Sequence, residues 1–229
     1  LLILILVASI VLNSVLLLVI NNKNNSINKL NDNLESEKNN YKEEIESVKD
    51  NYTNYLFLGD SITEYYDLDK YFPNMPVVNS GLAGDTTDDI LSDMKGRVYD
   101  YNPSKIFLLI GTNDLRDEKS VDEVGDNIKK IIEGIKENRK EAEIYLESIY
   151  PVNEEIDKKL VGPRDNGDIN EINEKLEEYA KEEGMTFINT HELLVDEDNL
   201  LNEDYTDDGL HLNDEGYEVV SEALIKYLK

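Results

Sequence analysis

The chain contains no cysteine. Disulfides, thiolate nucleophiles, cysteine metal sites and a lipid-modified N-terminal cysteine are excluded together, so stability has to come from packing. Basic side chains are scarce as well: 23 lysines and arginines stand against 50 aspartates and glutamates, a formal charge of -27. That sign repels a phosphate backbone and argues against nucleic acid as a partner. Histidine occurs only twice, at His191 and His211, which leaves few candidates for a general base near neutral pH. No H-E-x-x-H pair is present, and the acidic stretch 196–208 lacks the spacing of an EF-hand loop. The expectation is therefore an enzyme or binding module with no metal and no cofactor.

The 229 residues suffice for one domain with a full core and an appendage, but are short for two enzymes. The appendage lies at the start. Residues 1–20, LLILILVASIVLNSVLLLVI, carry no charge and only Ser9, Asn13 and Ser14 as polar interruptions. As a helix this run is about 30 Å long, the thickness of a bilayer core. It predicts a single-pass transmembrane signal anchor, since NNKNNS follows without a small-residue cleavage pattern. By analogy with other soluble domains behind a single N-terminal anchor, the rest of the chain is expected outside the cell, or secreted if the segment is cleaved. Residues 21–52 are rich in Asn, Glu, Lys and Ser, and Ile27, Leu34, Tyr41 and Val48 recur every seven residues. Leu30 fits the companion apolar position, whereas Glu37 and Glu44 break it. A polar helical stalk follows, with a solvated single helix and a weak dimer as alternatives.

Residues 53–229 form the expected catalytic domain. Short apolar runs at YLFLG, PVVNSG, KIFLLIG, EIYLESI and MTFIN read as five strands. Helical patterns over 88–99, 121–139, 169–183 and 214–228 lie between and after them. Alternation of this kind, with right-handed crossovers, predicts a three-layer α/β/α fold with a flavodoxin-like five-stranded parallel sheet. Ligands of such sheets bind beyond the C-terminal strand ends, so the polar residues there are the ones to inspect.

The first strand runs into Gly59, Asp60, Ser61, Ile62 and Thr63, which puts a hydroxyl at its exit. The second leads to NSGLAGDTT, where Gly84 can turn a bare N–H toward a reacting oxygen, and the third to GTND, where Asn113 offers a side-chain amide. Asp208 precedes His211 by three residues, close enough for the carboxylate to orient the imidazole. Each of these alone is also an ordinary turn or helix cap. His191 sits next to Glu192, and adjacent side chains point apart, so it is the weaker candidate for a base.

In their order along the chain, GDSIT, NSGLAGDTT, GTND and DDGLHLNDEGY closely resemble the signature blocks of the SGNH superfamily, also called GDSL-type hydrolases. NPSKIFLLIGTNDL and SIYPVN are most similar to its platelet-activating-factor acetylhydrolase-like and carbohydrate acetylesterase-like branch. The resemblance implies Ser61 as nucleophile, His211 as base and Asp208 as its orienter. It also implies an oxyanion hole made of the Ser61 and Gly84 N–H groups and the Asn113 side chain. The function expected is that of a membrane-anchored serine esterase removing small acyl groups, such as acetyl, from a glycan. Transfer of the acyl group to a glycan, lysophospholipase or thioesterase activity, and a non-catalytic binding module are the alternatives. The segment between Pro151 and Asp168, with Gly162, Pro163, Arg164 and Gly167, is expected as a loop on the substrate rim.

Overall fold

The computed structural model describes residues 17, 20–31, 33–41 and 54–229. The chain divides into two units, Leu1–Tyr52 and Thr53–Lys229. In the first, residues 20–31 and 33–41 are α-helical, and every described side chain is exposed. Ile27, Leu34 and Tyr41 of the seven-residue series are among the exposed apolar groups. Most of the predicted membrane segment, residues 1–16, 18 and 19, and the stalk residues 32 and 42–52 lie outside the described residues. Among the described residues no helix is long and apolar enough to cross a membrane.

The second unit is built on five parallel strands: β1 (Asn54–Gly59), β2 (Val77–Gly81), β3 (Pro103–Leu109), β4 (Glu143–Glu147) and β5 (Thr186–Ile188). Their order in the sheet is β2-β1-β3-β4-β5, the flavodoxin-like arrangement. Parallel strands buried on both faces need apolar residues at every position, and each face takes alternate ones. Leu56, Leu58, Ile106, Leu108, Ile144 and Leu146 join one core, while Phe57, Phe107, Leu109 and Tyr145 join the other. On that second face Phe57, Phe107 and Tyr145 stand in register on three neighbouring strands. Their rings stack at 4.7 and 4.8 Å between centroids, a cross-strand ladder through the middle of the sheet.

Ten α-helices among the described residues of this unit flank the sheet: α1 (Ser61–Glu64), α2 (Leu68–Tyr71), α3 (Thr87–Ser92), α4 (Met94–Arg97), α5 (Thr112–Arg116), α6 (Val121–Asn138), α7 (Glu154–Val161), α8 (Asn166–Glu182), α9 (His191–Leu194) and α10 (Asp214–Leu224). Helix α6 starts at a capping box, in which Ser120 and Glu123 satisfy each other's backbone N–H groups. It buries Val124, Ile128, Ile131, Ile132 and Ile135 on the first face. Ile169, Ile172, Leu176 and Ala180 of α8 join it there. Tyr217, Val220 and Leu224 of α10 cover the opposite face.

Two local expectations are corrected. The helix predicted over 88–99 breaks into α3 and α4, because Asp93 leaves helical geometry and its side chain caps Gly96 N–H of the next turn. The segment 151–168 is not all loop: it contains α7, two turns kinked at Asp157, where φ is -142° and ψ is 88°. Its Arg164, expected on a rim, is 6% exposed.

Candidate active site

β1 delivers its C-terminal end to a turn that only glycine permits. A Cβ on Gly59 would lie 2.2 Å from Thr63 Oγ1 and 2.3 Å from Leu109 O. The chain then enters α1 directly, with Asp60 as its cap: Asp60 Oδ1 accepts from Ile62 N–H at 2.9 Å. The cap takes the Ile62 donor, and the Ser61 N–H at the helix N-terminus has no acceptor among the described residues. From below, Tyr217 Oη donates to Ile62 O at 2.7 Å, and the Tyr66 ring stacks on Tyr217 at 4.7 Å. Ser61 is thereby held on a short, braced turn.

His211 reaches it from 150 residues further along, with Nε2 2.9 Å from Ser61 Oγ. On the other side of the ring, Nδ1 lies 2.8 Å from Asp208 Oδ2. Asp208 Oδ1 accepts the N–H groups of Leu210 and His211 at 2.9 and 2.8 Å. Desolvation opposes charge on this carboxyl, but the imidazole and the two N–H groups outweigh it and hold its pKa below the ordinary value. An ionised Asp208 keeps the proton on Nδ1 and leaves Nε2 to accept one from Ser61. Thr206 staples the loop shut: its hydroxyl donates to His211 O at 2.7 Å and accepts from Gly209 N–H at 2.9 Å. The ring of Tyr65, 55% exposed, lies 5.2 Å from the imidazole and gives the site an apolar margin.

The segments after β2 and β3 hold the two other donors expected from the sequence, Gly84 N–H and the Asn113 amide. Gly84 has φ +88°, and a Cβ there would meet nothing within 4 Å, so the glycine serves its backbone conformation and not a tight fit. Its N–H has no acceptor among the described residues. Glu64 accepts from the neighbouring Ala83 N–H at 2.6 Å, tying this loop to α1. Asn113 donates one Nδ2 hydrogen to Asp85 O at 2.9 Å. Its Oδ1 accepts from Arg164 Nη2 at 2.9 Å and from Arg116 Nη1 at 3.3 Å. Two guanidinium donors on the oxygen fix which way the amide faces and leave its second N–H for a ligand. Of the five residues expected at the site, Ser61, His211 and Asp208 are joined directly, while Gly84 lies in the loop after β2 and Asn113 in the first turn of α5 after β3. The histidine left out is His191. It opens α9, and its ring bonds to neither Ser61 nor Asp208 among the described residues.

Several positioning groups are absent from the motif reading. Arg97 pairs with the Asp85 carboxylate and donates to Gly59 O and Ser80 O at 2.9 and 2.5 Å, so one guanidinium joins the exits of β1 and β2. Asp114, fully buried, accepts from Thr87 N–H and Oγ1 at 2.9 and 2.5 Å and from Lys119 Nζ at 2.6 Å. It clamps the loop after β2 to the one after β3. A signal was available: of the four arginines in this acidic chain, Arg97, Arg116 and Arg164 all contact these loops.

Asp60 carries a titratable consequence. Its Oδ2 is buried without a partner among the described residues. Burial pushes its pKa up to about 7, against the opposing effects of the Ile62 N–H and the Arg164 charge. The folded state thus holds the Asp60 proton more tightly than the unfolded chain does, and stability falls as pH rises from about 4 to about 7. A shift of about three units corresponds to at most roughly 4 kcal/mol. Glu147, also buried and pushed up to about 7, adds a slope of the same sign. Asp60→Asn is expected to remove about half of the stability lost between about pH 5 and about pH 8, measured by urea denaturation. An unchanged loss would show that the Asp60 carboxyl is not neutral in the folded protein at the lower pH.

With this geometry in place, similarity to known proteins is specific. The description of the GDSL-like Lipase/Acylhydrolase family matches residues 57–219, which hold all four motif blocks. The chain belongs to this family. A Streptococcus pneumonia structure described as a platelet activating factor is 34% identical, with 86% of this chain and 98% of that one covered and a TM-score of 0.73. A Bacteroides fragilis structure described as an acylhydrolase is 25% identical over 78% of this chain and 87% of its own, with a TM-score of 0.68. The N-acylneuraminate cytidylyltransferase of Escherichia coli O18:K1:H7 is 33% identical over 178 residues, which are 75% of this chain and 39% of that protein. The chain thus spans about two-fifths of the length of this curated relative. The domain is a GDSL-type hydrolase of the SGNH fold.

Proposed function

We propose that this hydrolase is a serine esterase that removes small acyl groups, such as acetyl, from a glycan or similar carbohydrate. The observation that carries the reading is the relay from Ser61 Oγ through His211 to Asp208, with contacts of 2.9 and 2.8 Å. His211 Nε2 takes the Ser61 proton as Oγ attacks the ester carbonyl. The charge that develops on the carbonyl oxygen meets the N–H groups of Ser61 and Gly84 and the second hydrogen of Asn113 Nδ2. Collapse expels the alcohol, which receives the proton from His211. Water, activated by the same imidazole, then releases the acid and restores Ser61. The acylated-sugar substrate is supported by the name of the Escherichia coli relative, which handles an N-acylneuraminate. The charge of -27 disfavours an anionic lipid surface as the substrate phase. Residues 1–20 are proposed to anchor the chain in a membrane, with residues 21–52 as a spacer and the catalytic domain outside; the uncharged apolar run is the support.

A fluorophosphonate probe is expected to label the protein at Ser61 and to leave Ser61→Ala unlabelled. In a series of p-nitrophenyl esters, acetate is expected to turn over about tenfold or more faster than octanoate. Preference for octanoate would move the assignment toward a lysophospholipase or thioesterase, and loss of labelling would remove the serine mechanism.

A further inference from the structure

In a serine esterase the alcohol departs with a proton from the base, so its oxygen has to lie within hydrogen-bond reach of His211 Nε2. The exposed side chain set against that imidazole is Tyr65, with ring centroids 5.2 Å apart and planes tilted by 55°. Tyr65 follows α1 directly, and its backbone N–H donates to Ser61 O at 3.0 Å, which ties it to the nucleophile. Exposure sets it apart. Among the described residues of the catalytic domain it is the only exposed tyrosine, and its hydroxyl has no hydrogen-bond partner there. Single apolar groups on a surface are ordinary, so their placement is what counts. Five large apolar side chains of this domain are exposed: Tyr65, Leu82, Ile156, Leu160 and Leu193. Four of them lie at the site. Besides Tyr65, Leu82 comes two residues before Gly84, Ile156 Cβ is 3.4 Å from where a Cβ on Gly209 would lie, and Leu160 O accepts from Arg164.

The surroundings of Tyr65 narrow the kind of alcohol. Tyr65 lines a cavity of about 320 Å³ together with Tyr71 of α2 and Leu212, the residue after the base. Asp67, Asp207 and Asp214 supply its carboxylates, and among the described residues no lysine or arginine lines it. An anionic alcohol is therefore repelled. A cation fits no better: as the alcohol leaves, His211 carries the proton taken from Ser61, and a second positive charge beside it would oppose that step. An uncharged alcohol with an apolar face and hydroxyls at its edge meets both demands. Its face gains by covering the Tyr65 ring, which is otherwise left in water, and its hydroxyls can pair with Tyr65 Oη and the carboxylates. A pyranose has this form.

We propose that Tyr65 is the specificity-determining residue for the leaving alcohol, its exposed ring carrying the face of an uncharged cyclic alcohol such as a pyranose. The assignment rests on the esterase reading of Ser61 and His211, and the choice of esters separates the two. Acylation, in which the alcohol is still present, is read by kcat/KM, with active full-length enzyme counted by fluorophosphonate titration. Tyr65→Ala is expected to lower kcat/KM for cyclohexyl acetate about tenfold or more relative to ethyl acetate, while Tyr65→Phe keeps the parent's ratio. Leu82→Ala, on the side of Gly84, is expected to keep that ratio too, because the two esters share their acetyl group. An acetylated methyl glucopyranoside is expected to follow cyclohexyl acetate, and acetylcholine to follow ethyl acetate. The proposal is overturned if Tyr65→Ala slows both esters equally, which would place the effect of the ring on the imidazole. It is also overturned if Tyr65→Ala slows neither, if acetylcholine suffers the larger loss, or if Leu82→Ala changes the ratio as much. A parent that cleaves cyclohexyl acetate but not the acetylated sugar would remove the glycan reading and leave Tyr65 in its role. A parent that cleaves none of these esters removes the esterase reading and the proposal with it.

Discussion

Replacing His211 with alanine is expected to lower kcat/KM for p-nitrophenyl acetate by roughly four to six orders of magnitude, while His191→Ala keeps most of the activity. The size follows from the relay. Without the imidazole at 2.9 Å, the Ser61 hydroxyl has no base and the departing alcohol has no proton donor. Residual rate above water would come from the Ser61, Gly84 and Asn113 donors alone. Asp208→Asn tests the same relay more gently, because it keeps the size of the side chain while the amide favours the other tautomer of the ring. Comparable losses for His191→Ala and His211→Ala would assign the base wrongly here.

The second large effect concerns an amide and the arginine that orients it. Asn113→Ala is expected to reduce kcat about 10²–10³-fold, the cost of one oxyanion donor, with KM little changed. Arg164→Met is expected to reduce kcat by a similar order, although Arg164 touches no reacting atom. Its guanidinium makes one contact to Asn113 Oδ1 and four to the O and Oγ1 of Thr112 and the carbonyls of Leu160 and Val161. Only a planar fork can satisfy so many acceptors at once, so Arg164→Lys should not restore the rate. In the Asn113→Ala background, Arg164→Met should add little further loss in kcat. Additive losses would mean that Arg164 supports the fold generally and not the facing of this amide. The folded fraction of each variant, from denaturant titration, separates that outcome from simple unfolding, because removing a buried charged partner can cost about 3–5 kcal/mol.

Much of this architecture is legible in the amino-acid order. YLFLG, KIFLLIG and EIYLESI announce buried strands because a parallel sheet demands apolar residues on both faces, and the structure places them at β1, β3 and β4. The serine and asparagine that motif order singled out open the helices after β1 and β3, and the glycine, aspartate and histidine lie in loops after β2 and β5. Other parts depend on partners distant in sequence and carry no local sign. Arg97 reads as a helical residue, yet it joins two strand exits. Arg164 reads as a surface residue beside Gly162 and Pro163, yet it is buried against Thr112 and Asn113. Asp93 divides a helical pattern because its side chain caps the turn after it. At α7, the charged run from Glu154 to Lys159 and the kink at Asp157 mask a helix of two short turns.

The 150 residues between Ser61 and its base also set a schedule for the newborn chain. At about 5–20 residues per second, synthesis takes at least several seconds to travel from the serine to the histidine. Through that interval the hydroxyl is an unremarkable alcohol, and the Asn113 amide lacks the arginine that comes 51 residues after it. Hydrolytic power switches on only when the late segments dock on strands made much earlier. A nascent domain is therefore inert toward the acylated molecules around it until its sheet is nearly complete, and the first ester it cleaves reports that folding has finished.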